Sequence, residues 1–506
     1  MLASVHSATL LGVDGQVVTV EVHVSNGLPA YHVVGLPDAA VRESRERVRA
    51  ALLSSQLSWP LRRLTVNLAP GAIRKTGAGL ELAVGLGVLA ANEELPADVL
   101  DGLGVLGELG LDGSVRPVPG MLALVDALAR AGLDTIVVPI GNAAEAELVR
   151  GITVRAARTL GELRACLKGE LPWPDWPADG SRVSAAAADG VIALDDEPLD
   201  LADVRGLGTA RTALEVAAAG AHHLLLTGAP GAGKTMLARR LVTILPPLQP
   251  DEALEVTRIH SVAGHAPFTG LVTQPPFRSP HHTASTPALV GGGSGRPHPG
   301  EVTLAHRGTL FLDELGEFAP AALDALRQPL EARSVHISRQ PISLQFPAAF
   351  QLVACTNPCP CGRAEDECRC SDVQRARYRR RLSGPLLDRF DLRVHVRPLA
   401  AASPRGESSA EVRTRVLRAA ARQHARYAGM PWARNAQVPA GALESSIPLV
   451  REAEVAWREE VERRQLTGRG AATLRRVART LADLDDVEAI SDGHVCLASV
   501  LREELP

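Results

Sequence analysis

Apolar positions along the chain fall into two alternating strand–helix stretches followed by a helical end. QVVTVEVHVS (16–25) alternates apolar and polar side chains and is rich in β-branched residues, which predicts a half-buried strand. AAVRESRERVRAALLSS (39–55) spaces its apolar residues three and four apart and predicts an amphipathic helix. LRRLTVNLAP predicts another strand, LELAVGLGVLAAN a buried helix and TIVVPI (135–140) a short buried strand. Residues 1–168 therefore read as one α/β domain. Residues 169–198 hold Pro, Gly, Asp and small side chains without periodicity and read as a linker.

In 199–400 the apolar runs HHLLLTG, TLFLDEL and QLVACTNP end in glycine-rich or acidic turns. Short buried strands with helices between them predict a mostly parallel sheet. Residues 401–506 predict a helical domain: SSAEVRTRVLRAAARQHARYAG, SIPLVREAEVAWREEVERRQL and GAATLRRVARTLADLDDV all carry three-to-four spacing. No tandem repeat is visible.

The chain has 506 residues, too many for one core and enough for three or four domains. Its 46% hydrophobic and 22% charged residues exclude a disordered chain. The net charge of −3 excludes a polycation, so contact with nucleic acid must come from local arginine clusters. The N-terminus lacks the pattern of a signal peptide, and no apolar run is long enough for a bilayer, so the expectation is a cytoplasmic protein without membrane contact. Lys75, Lys168 and Lys234 are the only lysines.

Lys234 falls in GAPGAGKT (228–235), which fits G-x-x-x-x-G-K-T between an apolar run and a helical segment. Gly228, Ala229, Pro230, Gly231, Ala232 and Gly233 would curl the backbone so that its N–H groups face phosphate oxygens, at the positive end of the next helix. Lys234 is expected to reach the β- and γ-phosphates of ATP, and Thr235 to ligate Mg²⁺. TLFLDEL places Asp313 and Glu314 at a strand's carboxyl end, where Asp313 would hold Mg²⁺ and Glu314 would act as general base on water. Asn357 ends the next strand, where it either orients that water or simply starts an Asn-Pro turn. Arg389 in GPLLDRFDL offers a cation for the developing phosphate charge, or else a salt bridge with Asp388 or Asp391.

Together these motifs resemble the helix-2-insert branch of AAA+ proteins, which includes magnesium-chelatase ATPase subunits and MCM helicases. The chain is more closely similar to the magnesium-chelatase-like competence protein family, ComM (also called YifB). The likeness is carried by VGLPDAAVRESRERVRAAL, LTVNLAP, FRSPHHTASTPALVGGG, PGEVTLAHRGTLFLDEL, NPCPCG, RLSGPLLDRFDL and RVARTLADL. It implies a homo-hexameric ATPase that encircles DNA and drives branch migration of recombination intermediates, in company with recombination proteins. It implies an N-terminal domain with the Lon-protease (ribosomal S5 domain 2-like) fold, a central AAA+ domain and a C-terminal helical lid. By the same resemblance Arg389 matches a finger acting on the neighbouring subunit, and Arg469 the sensor-2 arginine, with Arg476 one helical face later. The positions of the Lon serine and lysine fall on Gly79 and Leu122, which can serve as neither nucleophile nor base.

CPCGRAEDECRC sets Cys359, Cys361, Cys368 and Cys370 in a C-x-C-x6-C-x-C pattern. Four thiolates suit a closed structural zinc site, with reduced thiols or a redox switch as the other readings. Cys355, on the strand before, reads as core. Downstream, Arg375, Arg377, Arg379, Arg380 and Arg381 form a positive run suited to phosphate backbone or to subunit-interface pairs. The glycine-rich 290–300 and a hairpin predicted over 331–346 occupy the places of that branch's insertions, making Arg296, Arg339 and Gln340 candidate DNA contacts. His281 and His282 suit hydrogen bonding or phosphate contact. With 3% aromatic residues, base stacking is not expected to carry binding. The expected function is a DNA motor. The other readings are a metallochelatase subunit and a protein-remodelling chaperone.

Overall fold

The computed structural model of the chain describes residues 1–75, 77–175, 199–265, 270–293, 297–339, 342–363, 368–397 and 405–503. Most of the expected linker, from 176 to 198, lies outside them. The chain divides into two compact units, 1–190 with 251–272, and 191–250 with 273–506.

The first unit is built on a mixed seven-stranded sheet. Its strand order is Ala30–Val34, Arg63–Ala69, Asp14–Ser25, Leu2–Leu11, Leu103–Val105, Thr135–Pro139, Thr153–Ala157. The alternation seen in 16–25 sorts its side chains to two faces. Val18, Val20, Val22 and Val24 enter one core with the helix Glu81–Ala91. Val17 packs on the other core, with Ala8, Leu10 and the helix Met121–Arg130. Burying each such valine or leucine is worth about 1.5–3 kcal/mol, so both helices are fixed by the sheet rather than by their own propensity. The predicted helix at 39–55 runs from Ala39 to Ser54 and is capped by Asp38, whose carboxylate accepts from the Val41 N–H at 2.8 Å.

The helix Pro250–Val262 contributes Leu254 and Val262 to that second core, so 251–272 packs with this unit although it lies inside 199–400 in sequence. Ser261 donates to Glu145 and its carbonyl accepts from Gly120, which ties the segment down.

The second unit holds a five-stranded, wholly parallel sheet in the order Phe277–Arg278, Thr309–Leu312, Gln351–Thr356, Leu224–Thr227, Leu392–His395. Leu224, Leu225 and Leu226 are fully buried, as an apolar run in a sheet covered on both faces must be. Helices Ser409–Arg426 and Gly468–Leu484 share one core with the helix Gly208–Gly220 and this sheet, so the C-terminal helices belong to the same compact unit. The first of them starts on a capping box between Ser408 and Glu411. The predicted hairpin is present as Ser334–Arg339 paired antiparallel with Ile342–Pro347. Among the described residues no helix is long and apolar enough to cross a membrane.

Candidate functional site

Parallel register aligns the strand ends. Thr227 pairs with Thr356, and Leu312 with Ala354, so the residues that follow, Gly228, Asn357 and Asp313, emerge at one edge of the sheet. The turn at 228–233 is shaped by glycine. At Gly228 a Cβ would lie 2.3 Å from the Val396 carbonyl oxygen, so only glycine lets the loop pass the neighbouring strand end. Gly231 and Gly233 take φ of 75° and 91°, and the helix Lys234–Arg239 begins directly after.

Lys234 links the loop to the third strand. Its Nζ donates to the carbonyls of Gly228 at 2.8 Å and Ala229 at 2.9 Å, and to Asn357 Oδ1 at 3.1 Å. Burial lowers its proton affinity, opposed by the charges of Cys355, Asp313 and Glu314. Thr235 Oγ1 donates to Asp313 Oδ2 at 2.9 Å. A hydroxyl beside a carboxylate is an oxygen donor set that fits Mg²⁺, and an ammonium among backbone amides fits phosphate. Glu314 has a left-handed backbone, φ 52° and ψ 49°, braced by its own N–H on Asp313 Oδ1 at 3.0 Å. Its carboxylate lies 3.6 Å from His282 Nδ1. No spacing in the sequence links His282 to Glu314, because the two lie in different segments; only the fold joins them. His281 instead bonds Thr283 at 2.8 Å.

Arg389 does not pair with Asp388 or Asp391, the partners expected for a surface bridge. It closes on Glu331, whose same oxygen accepts from Arg469 at 3.3 Å. Asp388 is taken by Arg393, and Asp391 accepts from the His223 N–H at 3.1 Å. Arg476 donates to the Val438 carbonyl at 2.8 Å, a bond that secures its helix.

The four cysteines converge. Cys359 Sγ lies 3.2 Å from Cys361 Sγ and 3.5 Å from Cys368 Sγ, and all four sulfurs fall within 4.8 Å of one another. Thiolates at tetrahedral zinc, with Zn–S near 2.3 Å, are spaced by about 3.8 Å, so the donor set fits. Cys361 is pulled down to about 6, first by the backbone N–H of Arg363 and then by Cys359, while burial pushes Cys359 up to about 12. Cys355 is buried in the core, as expected.

Of the expected DNA contacts, Arg377 and Arg380 are exposed, on and at the end of the helix Asp372–Arg379. Arg375 pairs with Asp372, and Arg381 donates to the Gly316 carbonyl at 3.0 Å. Arg339 is the last residue of its hairpin strand, and Arg296 and Gln340 lie outside the described residues. In the first unit Leu122 is buried and Gly79 is half-buried. Lys75 there is buried and donates to the Pro70 carbonyl.

A five-stranded parallel sheet with a P-loop, an acidic strand end and a polar residue on the strand between them defines a P-loop ATPase of the AAA+ class. The pattern described as "Magnesium chelatase, subunit ChlI" matches residues 200–403, "Subunit ChlI of Mg-chelatase" matches 20–142, and "Magnesium chelatase, subunit ChlI C-terminal" matches 406–502. The chain is 46% identical over 490 residues to the protein Rv2897c of Mycobacterium tuberculosis, spanning 96% of this chain and 95% of that one. It is 40% identical over 503 residues to "Competence protein ComM" of Haemophilus influenzae, covering 98% and 96% of the two chains. The chain belongs to the magnesium-chelatase-like AAA+ family of ComM and YifB. A shorter likeness, 29% identity over 139 residues, joins 26% of this chain to 17% of the Lon protease of Mycolicibacterium smegmatis, in keeping with a Lon-like fold for the first unit.

Proposed function

We propose that this protein is a ring-forming, ATP-hydrolysing DNA motor, a branch-migration helicase acting on recombination intermediates in the cytoplasm. The observation that carries the reading is the bond from Thr235 to Asp313, which brings the two phosphate- and metal-binding halves of a P-loop site together. Lys234 and the amides of 228–233 hold the phosphates of ATP. Thr235 and Asp313 hold Mg²⁺, which when bound neutralises charge on the transferred phosphoryl group. Glu314 accepts the proton of the attacking water, and Asn357 orients that water. Arg389 and Arg469, gathered on Glu331, form a positive face for the nucleotide of the neighbouring subunit in a homo-hexamer.

The name of the Haemophilus influenzae relative points to competence, hence to DNA and recombination proteins as partners. The exposed Arg377 and Arg380 suit backbone phosphates. Arg296, Arg339 and Gln340 remain proposed DNA contacts. The magnesium-chelatase patterns favour a second reading, a subunit that drives metal insertion into a tetrapyrrole. The deciding experiment measures ATP turnover and junction unwinding by the purified protein, with four-way DNA or with a tetrapyrrole as stimulant. The motor reading expects stimulation by the junction and ATP-dependent unwinding that Lys234→Ala abolishes. Turnover indifferent to DNA would remove it.

A further inference from the structure

The cysteine knuckle is built against the P-loop. Gly362, between the two cysteine pairs, has φ +70° and donates its N–H to the Cys359 carbonyl at 3.0 Å, closing a tight turn. A Cβ there would stand 2.4 Å from Pro230 Cγ, 2.6 Å from Pro230 Cδ and 3.8 Å from Asn357 Cγ. The turn thus rests on the loop and on the amide that holds Lys234. The cluster's other end leads into the helix Asp372–Arg379, started by a capping box on Ser371. That helix brings the Tyr378 hydroxyl to 3.3 Å from Thr356 Oγ1, the residue before Asn357. A Cβ at Gly316, two residues past Glu314, would lie 2.3 Å from the same hydroxyl. Both ends of the cysteine segment therefore press on the strand ends that carry Asn357 and Glu314.

We infer that Cys359, Cys361, Cys368 and Cys370 bind one structural Zn²⁺, and that this ion holds the Gly362 turn against Pro230 and Asn357 so that the nucleotide loop keeps its shape. Four soft donors at this spacing suit zinc, and binding displaces the remaining thiol protons to solvent. Without the ion the two cysteine pairs are held across space by weak thiol contacts, Cys359 Sγ to Cys368 Sγ at 3.5 Å and Cys361 Sγ to Cys368 Sγ at 3.7 Å. The turn then loses its brace, and the segment 228–235 opens more often. The coupling rests on reading 228–235 as the nucleotide loop, whereas the metal site stands without it.

The test uses the full-length protein purified under reducing conditions. Elemental mass spectrometry should find about one zinc per chain. Removing it with a chelator should speed amide hydrogen exchange across 228–235, and added Zn²⁺ should restore protection. Cys361→Ser and Cys370→Ser should lose the metal and behave like chelated protein. Gly362→Ala removes no thiolate ligand, so it should keep the zinc yet disturb exchange at the loop. ATP turnover should fall at least about tenfold in all of these, the scale of losing a supporting partner around a site. Iron in place of zinc, or less than half an equivalent of metal, overturns the site. Unchanged exchange at 228–235 on zinc removal overturns the coupling. Metal content and exchange are both read without ATP, so a protein that hydrolyses none would sink the motor reading while the zinc site and its coupling are still decided.

Discussion

Arg389 and Arg469 share one acceptor, the Oε1 of Glu331. Two guanidinium groups on a single carboxylate leave an excess positive charge at that place, which suits reception of a phosphate and does not suit a closed salt bridge. Arg389→Ala should lower ATP turnover on the order of a thousandfold, whereas Glu331→Gln should change it by less than about threefold. Mixing Arg389→Ala with Lys234→Ala subunits should recover activity, because some interfaces then join an intact P-loop to an intact arginine. Phosphate-release assays on the variants and on the mixture check this. Normal turnover by Arg389→Ala would leave the residue as a mere partner of Glu331.

Lys234, Glu314 and Asn357 should separate binding from chemistry. Lys234 holds loop carbonyls and Asn357 at once, so Lys234→Ala should abolish nucleotide-dependent activity. Glu314→Gln should bind ATP with little change and hydrolyse it on the order of a hundredfold more slowly. Asn357→Ala should lower turnover by a similar factor, about a hundredfold, with nucleotide affinity within about threefold. Titration with a fluorescent nucleotide, set beside turnover, reads both quantities. Fast hydrolysis by Glu314→Gln would assign the base elsewhere.

His223 should make the second unit sensitive to acid. Its Nδ1 accepts from the Leu352 N–H at 2.9 Å, a bond that only an unprotonated nitrogen can accept. Burial lowers its proton affinity, opposed by the charge of Asp391. A group depressed in this way binds protons more readily in the unfolded chain, so stability is full above the ordinary histidine value near 6.5 and drains away below it, by about 1.4 kcal/mol per pH unit. Asp391 adds to this at lower pH. Burial alone would raise its carboxyl, but the hydrogen bond and charge of His222, with the backbone N–H of His223, outweigh burial and hold it well below the usual range. Its contribution is present above about pH 4 and fades as pH falls further. Melting temperatures measured from pH 7.5 down to 5 should therefore fall, and His223→Asn should flatten the upper part of that decline. A flat profile for the unaltered protein would show that His223 carries its proton in the fold.

Arg377 and Arg380 should contribute to DNA affinity through charge alone. Reversing both to glutamate should weaken binding of four-way and plain duplex DNA alike. Every phosphate that these side chains neutralise adds about 0.9 to the slope of log affinity against log salt, so the reversed variant should show a correspondingly shallower slope. Binding isotherms at several salt concentrations measure it. An unchanged slope would reassign these arginines to subunit contacts.

Much of the site was legible in the sequence because its chemistry is local. The P-loop needs glycines and a lysine at fixed spacing between a strand and a helix, and GAPGAGKT supplies them in eight consecutive residues. Asp313 and Glu314 announced themselves because the apolar run Leu310, Phe311 and Leu312 precedes them, and the cysteines because four of them crowd into twelve positions. The alternation in 16–25 likewise fixed which valines face which core, since a strand's side-chain period is two.

Contacts between distant segments were decided by the tertiary structure. Glu331 as the shared partner of Arg389 and Arg469, His282 beside Glu314, Gly362 against Pro230, and the passage of 251–272 into the first unit all join segments with no common period or motif. Sequence spacing encodes neighbours along one element. Which elements meet is set by sheet order and by burial of apolar faces, and so depends on the whole chain packing at once.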